Sequence, residues 1–546
     1  MRVSVPRLTL ASPFRHVIET WQIRFSRDFR EMPIRPLPTL LALGICALAA
    51  SVPADDKPRH VVLVVWDGMR PDFVTERYAP VLNKLAQEGV RFRNHHSVYP
   101  TATDVNGAAL ATGAYPNHNG LFANLALRAA INPRQSVDTA DPDIVRRGDE
   151  VFGGKYLALP TIAEVLRGAG KKVALAGTKS VAMLFDRRND WTLARTKDKQ
   201  LTVFAGAPMS GAVSDATTAL LGPFLTQSNV TAAKRNTYST RALTEVLWRS
   251  GVPEFSLLWL SEPDFSQHNF APGSPQGIAA IKAVDENLAT VLTTLDRNRV
   301  RDSTDIFVVS DHGFSTIKRS IDVVGLLNKA GFRAGQEFSD SSKAGDILVC
   351  GNGGSLLFYV KEHSPTAVER LVEWLKQSDF AGIVFANAGK GALPLSQGNI
   401  DVADGPDVIM SFRWYSEKNE FGVPGLIDAD WNRKAGEGTH ATLSPYDIHN
   451  TLIAAGPDFR QGFDDDLPTG NVDLAPTILH LLGIAAPAQF QGRMLAEAFT
   501  ENEGSRSTSQ ARDLSVHVIS NGKRSPSLKI SSVHNSEYID QADGEH

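Results

Sequence analysis

The stretch His60-Val-Val-Leu-Val-Val-Trp66 reads as one continuous apolar run that stops at Asp67-Gly68. A strand with one wet face alternates polar and apolar residues; this one does not, so both of its faces are covered. Such strands belong to parallel sheets sandwiched between helices. The same grammar repeats along the chain. Ala79 to Gly89 has helical spacing at Val81, Leu82 and Leu85 with a glycine stop, and Phe92 to Tyr99 returns as a strand. Pro160 to Gly168 is a helix before the strand Lys172 to Ala176, and Arg241 to Ser250 a helix before the strand Phe255 to Leu260. Ile278 to Leu295 is helical, and Asp305 to Ser310 is another buried strand. Repeated alternation predicts an α/β fold, one doubly wound, mostly parallel sheet with helices on both faces. Asp447 to Ala455 and Val472 to Gly483 read as closing helices.

Between about 316 and 436 the texture changes. Leu356 to Val360, a helix at Thr366 to Lys376, Gly382 to Phe385 and Val408 to Trp414 suggest a small α+β cap inserted beside the sheet. Its Phe358, Tyr359, Phe412, Trp414 and Tyr415 are candidate walls for a ligand. After Thr500 the chain turns polar, and residues 500–546 are expected as a tail or an edge hairpin, Asp513–Ser520 with Leu528–Asp540, turning at Asn521-Gly522. Residues 55–499 are left as the main domain.

Residues 1–54 look like an address. Met32 opens a short basic region, Leu37 to Ala50 is apolar, and Ser51-Val-Pro-Ala54 suits signal-peptidase cleavage before Asp55. The apolar run is too short for a comfortable membrane span, and the Arg-rich residues 1–31 fit an upstream extension. An exported protein, periplasmic or secreted, is expected. With Cys46 in the address, only Cys350 stays in the domain, so no intrachain disulfide is expected. A net charge of -4, with no basic stripe, leaves no electrostatic footprint for nucleic acid.

Polar residues gather where the strands end. Asp67 follows the first. Asp264 and His268 follow the strand ending at Leu260, Asp311 and His312 follow the strand ending at Ser310, and His440 lies in Gly436-Glu-Gly-Thr-His440. In open α/β sheets the ligand crevice lies outside the carboxyl ends of the strands, so these groups should converge. Three carboxylates and three imidazoles in one crevice need cations, and mixed Asp/His donors suit borderline divalent metals, zinc first. Six such side chains and a hydroxyl suit two ions. The hydroxyl is Thr103, where a Pro-stopped run meets the small apolar helix Asp104 to Ala111. A helix N-terminus favours an anion there, whereas an isolated Thr would serve only as an N-cap.

With these motifs in order, the sequence resembles the alkaline phosphatase superfamily, and within it the type I phosphodiesterase/nucleotide pyrophosphatase family, over roughly Val61 to Leu482. The resemblance implies one metal on Asp264, His268 and His440 and a second on Asp67, Asp311 and His312, with Thr103 as nucleophile and additional ligand. It implies that Asn124 contacts phosphate. It implies hydrolysis of phosphodiester or pyrophosphate bonds in a small phosphate-ester substrate through a phospho-threonine. The family's usual Phe-Pro-Asn-His after the nucleophile is here Asp104-Val-Asn-Gly107. Lys179 stands where related monoesterases and phosphonate hydrolases carry a phosphate-reaching lysine, but their partner arginine is Val181 here. Phosphomonoesterase or phosphonate hydrolase is therefore the alternative. A non-catalytic, metal-stabilised envelope binding protein is the alternative of another class.

Overall fold

Eight strands form the central sheet: β1 (His60–Trp66), β2 (Val90–Phe92), β3 (Val173–Gly177), β4 (Leu201–Phe204), β5 (Phe255–Leu260), β6 (Thr304–Val309), β7 (Leu452–Ala455) and β8 (Phe463–Asp465). Their spatial order is β8-β2-β7-β6-β1-β5-β3-β4. The computed structural model describes residues 59–186, 201–204, 211–225, 230–502, 509–515 and 527–542. The address segment 1–54 and the Asn521-Gly522 turn lie outside these residues. The pairs β1–β5, β1–β6, β5–β3 and β3–β4 are parallel.

Alternation along β1 explains the helices on both faces. Val61, Leu63 and Val65 point into one core with Trp259, Phe307 and the helices α2 (Thr103–Thr112) and α4 (Leu474–Leu481). Val62, Val64 and Trp66 point into the other, with α1 (Pro80–Glu88) and α3 (Pro275–Arg297). Register then sets the site. Val65 lies level with Trp259 on one side and Val309 on the other, so Asp67, the segment after Leu260 and Asp311 leave the sheet at one edge.

Three local expectations change. Asp447 to Ala455 is not a helix: Pro445–Ile448 makes one turn, and β7 then runs antiparallel between β6 and β2. Four apolar residues carry too little periodicity to tell a strand from a helix. Phe92 to Tyr99 is not one strand either. Phe92 ends β2 and His95–His96 pairs separately, after which the Asn106 side chain holds the Val98 main chain, accepting from its N–H at 2.7 Å and donating to its carbonyl at 3.0 Å. The helix before β5 begins at Ala232, capped by the Thr231 hydroxyl, and passes into a wider π turn at Ala242–Leu247.

Segment 316–436 contains a five-stranded sheet in the order Ala334–Gly335, Ile347–Gly351, Ser355–Val360, Val408–Phe412 and Ala381–Ala386, with helices Val323–Lys329 and Pro365–Gln377. Phe358 and Phe412 are core of this unit, and Tyr359 is buried under the same sheet, so they wall nothing. The C-terminal residues form a three-stranded antiparallel sheet, Ser509–Ser515, Ser527–Val533 and Ser536–Ala542, in place of a loose hairpin. It is docked. Leu528 and Ile530 are buried, Tyr538 Oη donates to Asp473 Oδ2 at 2.8 Å, and Trp414 Nε1 donates to the Ala542 carbonyl at 2.6 Å.

Candidate active site

Thr103 is the first residue of α2, and Ala102 holds the cap position with no side-chain cap bond. The hydroxyl is thus not consumed by capping. All ten residues of α2 are buried, and its small side chains allow close approach: a Cβ on Gly107 would sit 2.1 Å from Val181 Cγ2. That contact places a buried Val181 methyl group against α2. Asp67 is presented by a tight turn at Gly68, whose φ of +70° and nearness to Asp264 Cβ at 3.0 Å leave no room for a side chain.

Every predicted side chain arrives at the same cleft. Thr103 Oγ1 lies 3.2 Å from His312 Nε2 and 3.5 Å from Lys179 Nζ. Lys179 bridges Asp67 Oδ1 at 2.8 Å and Asp264 Oδ2 at 2.7 Å. His268 Nε2 and His440 Nε2 stand 3.2 and 3.6 Å from Asp264 Oδ1. His312 Nε2 stands 3.4 Å from Asp311 Oδ2 and 3.7 Å from Asp67 Oδ1. The His312 and His440 rings stack with centroids 3.6 Å apart. Among the described residues two groups at the cleft could hold an ion, Asp67 with Asp311 and His312, and Asp264 with His312 and His440; His268 is in neither, though its Nε2 stands beside Asp264 Oδ1. His312 belongs to both, so the two positions adjoin.

Tautomers decide what these contacts mean. His312 Nδ1 meets the Gly313 carbonyl at 2.8 Å, His440 Nδ1 the Thr101 carbonyl at 2.8 Å, and His268 Nδ1 the Gly438 carbonyl at 3.0 Å. A carbonyl only accepts, so each Nδ1 carries a proton, and the neutral His312 and His440 rings turn an Nε2 lone pair toward the carboxylates. Burial holds the His312 and His440 rings below the usual imidazole range, and for His440 the neighbouring His312 and His268 add to it. Lone pairs therefore face carboxylate oxygens, and Asp264 Oδ1 and Asp311 Oδ2 are buried with no hydrogen bond. An orphaned buried acceptor costs about 1–3 kcal/mol, and more when charged.

Lys179 offsets only part of this. Its ammonium is one positive charge against Asp67, Asp264 and Asp311. Burial opposes that charge, but Asp264, Asp67 and Asp311 outweigh it and hold the amine above its ordinary range. Asp67 is pushed well up by burial and by Asp311, despite Lys179 and a hydrogen bond from Trp259 Nε1 at 2.8 Å. The donor set thus calls for more positive charge than the chain provides.

The cleft holds about 360 Å³ and is lined on one side by Thr103, Asp104, Asn124, Asp138, Lys179 and His440, on the other by Asn352, Asp430, Asn432 and Arg433. Among the described residues no Phe, Tyr or Trp lines it, so Trp414 and Tyr415 do not serve as walls any more than the three buried aromatics do. Asn124 Oδ1 accepts from the Asp104 main chain at 2.8 Å, which turns that N–H away from a role toward phosphate and directs the amide N–H groups of Asn124 elsewhere. Burial and Asp138 push the Asp104 carboxyl well up.

Sequence reasoning missed several supports. Asn471 donates to Asn106 Oδ1 at 2.9 Å and to the Asp311 carbonyl at 2.7 Å, tying α2 to the strand end. It stands one residue before the closing helix pattern, which was its only signal. Trp259 looked like strand core and is, but its indole N–H reaches Asp67. Arg433 and Asp430 had no local signal.

Comparison with known proteins finds related folds and sequences. A human ectonucleotide pyrophosphatase/phosphodiesterase 5 structure superposes with a TM-score of 0.56 at 18% identity, covering 81% of this chain and 100% of that one. A bis(5'-adenosyl)-triphosphatase of Xenopus laevis is 22% identical over 449 residues, 79% of each chain. A venom phosphodiesterase of Crotalus durissus collilineatus is 23% identical over 276 residues, 49% of this chain, and the match spans 28% of that relative's length. Residues 61–390 match the family described as type I phosphodiesterase / nucleotide pyrophosphatase, and the chain belongs to that family.

Proposed function

We propose that this chain is a metal-dependent hydrolase of phosphodiester or pyrophosphate bonds that works through a phospho-threonine at Thr103. One observation carries the reading. Buried carboxylate oxygens without hydrogen bonds face imidazole lone pairs around the helix-N-terminal hydroxyl of Thr103, which itself lies 3.2 Å from His312 Nε2. Two divalent cations fit that donor set, zinc by its mixture of imidazole and carboxylate. Asp67, Asp311 and His312 would hold one and Asp264, His268 and His440 the other, with Thr103 beside the first. Bound there, such ions supply the positive charge that lowers the pKa of a hydroxyl or water and offsets charge on a phosphoryl group.

The chain's own residues do the rest. Thr103 Oγ attacks phosphorus in line, the bond to the leaving oxygen breaks, and the phosphoryl group rests on Thr103. Water then attacks the same phosphorus from the opposite side and returns the Thr103 hydroxyl. Asn124, anchored through its carbonyl by the Asp104 N–H, offers its amide N–H groups to an equatorial phosphoryl oxygen. Lys179 stands 3.5 Å from the attacking oxygen, where negative charge gathers. Export, periplasmic or secreted, rests on the pattern of residues 32–54. Among the described residues no helix is long and apolar enough to cross a membrane.

A second reading, phosphomonoesterase or phosphonate hydrolase, is favoured by Lys179 alone, since a dianionic substrate gains most from a cation near phosphorus. A hydrolysis panel on zinc-loaded protein decides, using phosphodiester, monoester, phosphonate and sulfate esters of one leaving group. The expected order places diesters first in kcat/KM. A monoester advantage of about tenfold or more that collapses in Lys179→Ala would establish the second reading instead.

A further inference from the structure

Away from the cleft, three segments far apart in sequence bring His96, His449 and Asp540 together, with donor atoms that all lie within 4.8 Å of one another. None of the three lines the cleft. His96 is fully buried in the short strand His95–His96, His449 bridges to it from the segment after Pro445–Ile448, and Asp540 comes from the last strand of the C-terminal sheet.

His96 Nδ1 meets the Thr469 carbonyl at 2.8 Å, so that nitrogen carries the proton. Its Nε2 therefore turns to Asp540 Oδ1, 2.6 Å away, either with a second proton or with a lone pair. A simple imidazolium–carboxylate pair would need nothing more. Here a second imidazole, His449, sits with its ring centroid 4.7 Å from that of His96 and is hydrogen-bonded to the His95 main chain. Asp540 Oδ2 accepts from the Ser531 hydroxyl. Each candidate ligand residue thus has a second, carbonyl, main-chain or hydroxyl partner, the pattern by which proteins orient metal ligands.

We propose that His96, His449 and Asp540 form a divalent-metal site, distinct from the Thr103 cleft, that pins the C-terminal sheet to the catalytic body. Two imidazoles, one carboxylate and a water suit zinc. Donors on a tetrahedral zinc stand about 3.3 Å apart, so the His96–Asp540 contact opens by less than about 1 Å while His449 draws in. The site joins positions 444 residues apart in sequence, so its occupancy governs how firmly the last strands are held.

The test counts metal in the full chain. Wild type, Asp540→Asn and His449→Gln are loaded with zinc, desalted and analysed by inductively coupled plasma mass spectrometry, with circular dichroism to confirm folding. Each variant is expected to hold one zinc equivalent fewer than wild type. Chelation should lower the Tm of wild type further than that of either variant. Equal zinc counts in folded wild type and either folded variant would overturn the proposal and leave an imidazolium–carboxylate pair. Because the readout is a difference in zinc content, it does not depend on the reaction proposed for the cleft.

Discussion

On the sheet side of the cleft, Asp264 Oδ1 and Asp311 Oδ2 are buried without a hydrogen bond. On the cap side, Asp430 uses both oxygens, accepting from the Gly353 N–H at 2.8 Å and from the Asn432 main chain and side chain at 3.0 Å each. Asn352 likewise closes on itself, paired through both its oxygen and its nitrogen with the Leu125 main chain. The cap wall is complete without a guest; the sheet wall is not. Incompleteness among buried groups is expensive, and folds retain it where something binds or reacts. On the proposed function the sheet wall carries the chemistry and the cap wall sets the shape of what fits against it.

The largest effect separating the walls should come from Thr103. Thr103→Ala is expected to lower kcat for a diester by on the order of 10³-fold or more, with metal content unchanged, while Thr103→Ser keeps partial activity. Stopped assays beside metal analysis check both halves, and wild-type turnover in Thr103→Ala would remove the nucleophile from the scheme. Next comes His440→Ala. It deletes a neutral donor and should cost on the order of 10²-fold in activity together with metal affinity, measured by titration with a competing chelator. Lys179→Ala should cost about 10–100-fold in kcat at saturating metal, since it removes one positive charge near the attacking oxygen.

Changes on the cap wall should be gentler. Arg433→Ala and Asp430→Ala are expected to change KM by a few-fold and leave kcat within about twofold, because neither touches Thr103, and Arg433 meets His268 at its main-chain carbonyl, 3.4 Å away, and not at its ring. A kcat loss as large as that of Lys179→Ala would erase the distinction between the walls. The smallest effect provides a control at the other end of β6. Asp305 is pushed up to about 7 by burial, against the pull of Arg59 and Arg301. A carboxyl raised in the folded state stabilises the fold below its unfolded value near 4 and loses that contribution as pH rises through about 7. Wild-type Tm should fall over that window relative to Asp305→Asn; a parallel pH profile in the two proteins would contradict the shift.

Much of the sheet wall was legible in the sequence, for a physical reason. Strands buried on both faces leave continuous apolar runs, and the first few polar residues after each run mark the carboxyl edge, so Asp67, Asp264 and Asp311 could be placed in one crevice from the sequence. The cap wall was not legible, because its polar residues are defined by partners far away in sequence: Asp430 by Gly353, Asn352 by Leu125. Aromatic residues in the same segment misled, since Phe358 and Phe412 are what a small five-stranded sheet needs for its own core. β7 was read as helix because four residues carry no period. Asn106 and Asn471 show a further limit. A buried amide that ties a nucleophile segment to a strand end has no local pattern of its own.

The central claim is that the orphaned oxygens of the sheet wall are completed by cations on which hydrolysis at Thr103 depends. The most direct measurement is diester turnover in protein stripped by a chelator and then titrated with zinc, with bound metal counted at each point. Turnover should vanish on stripping and return in proportion to zinc bound at the cleft, with Asp311→Asn failing to recover. Full turnover in stripped, metal-free protein would contradict it.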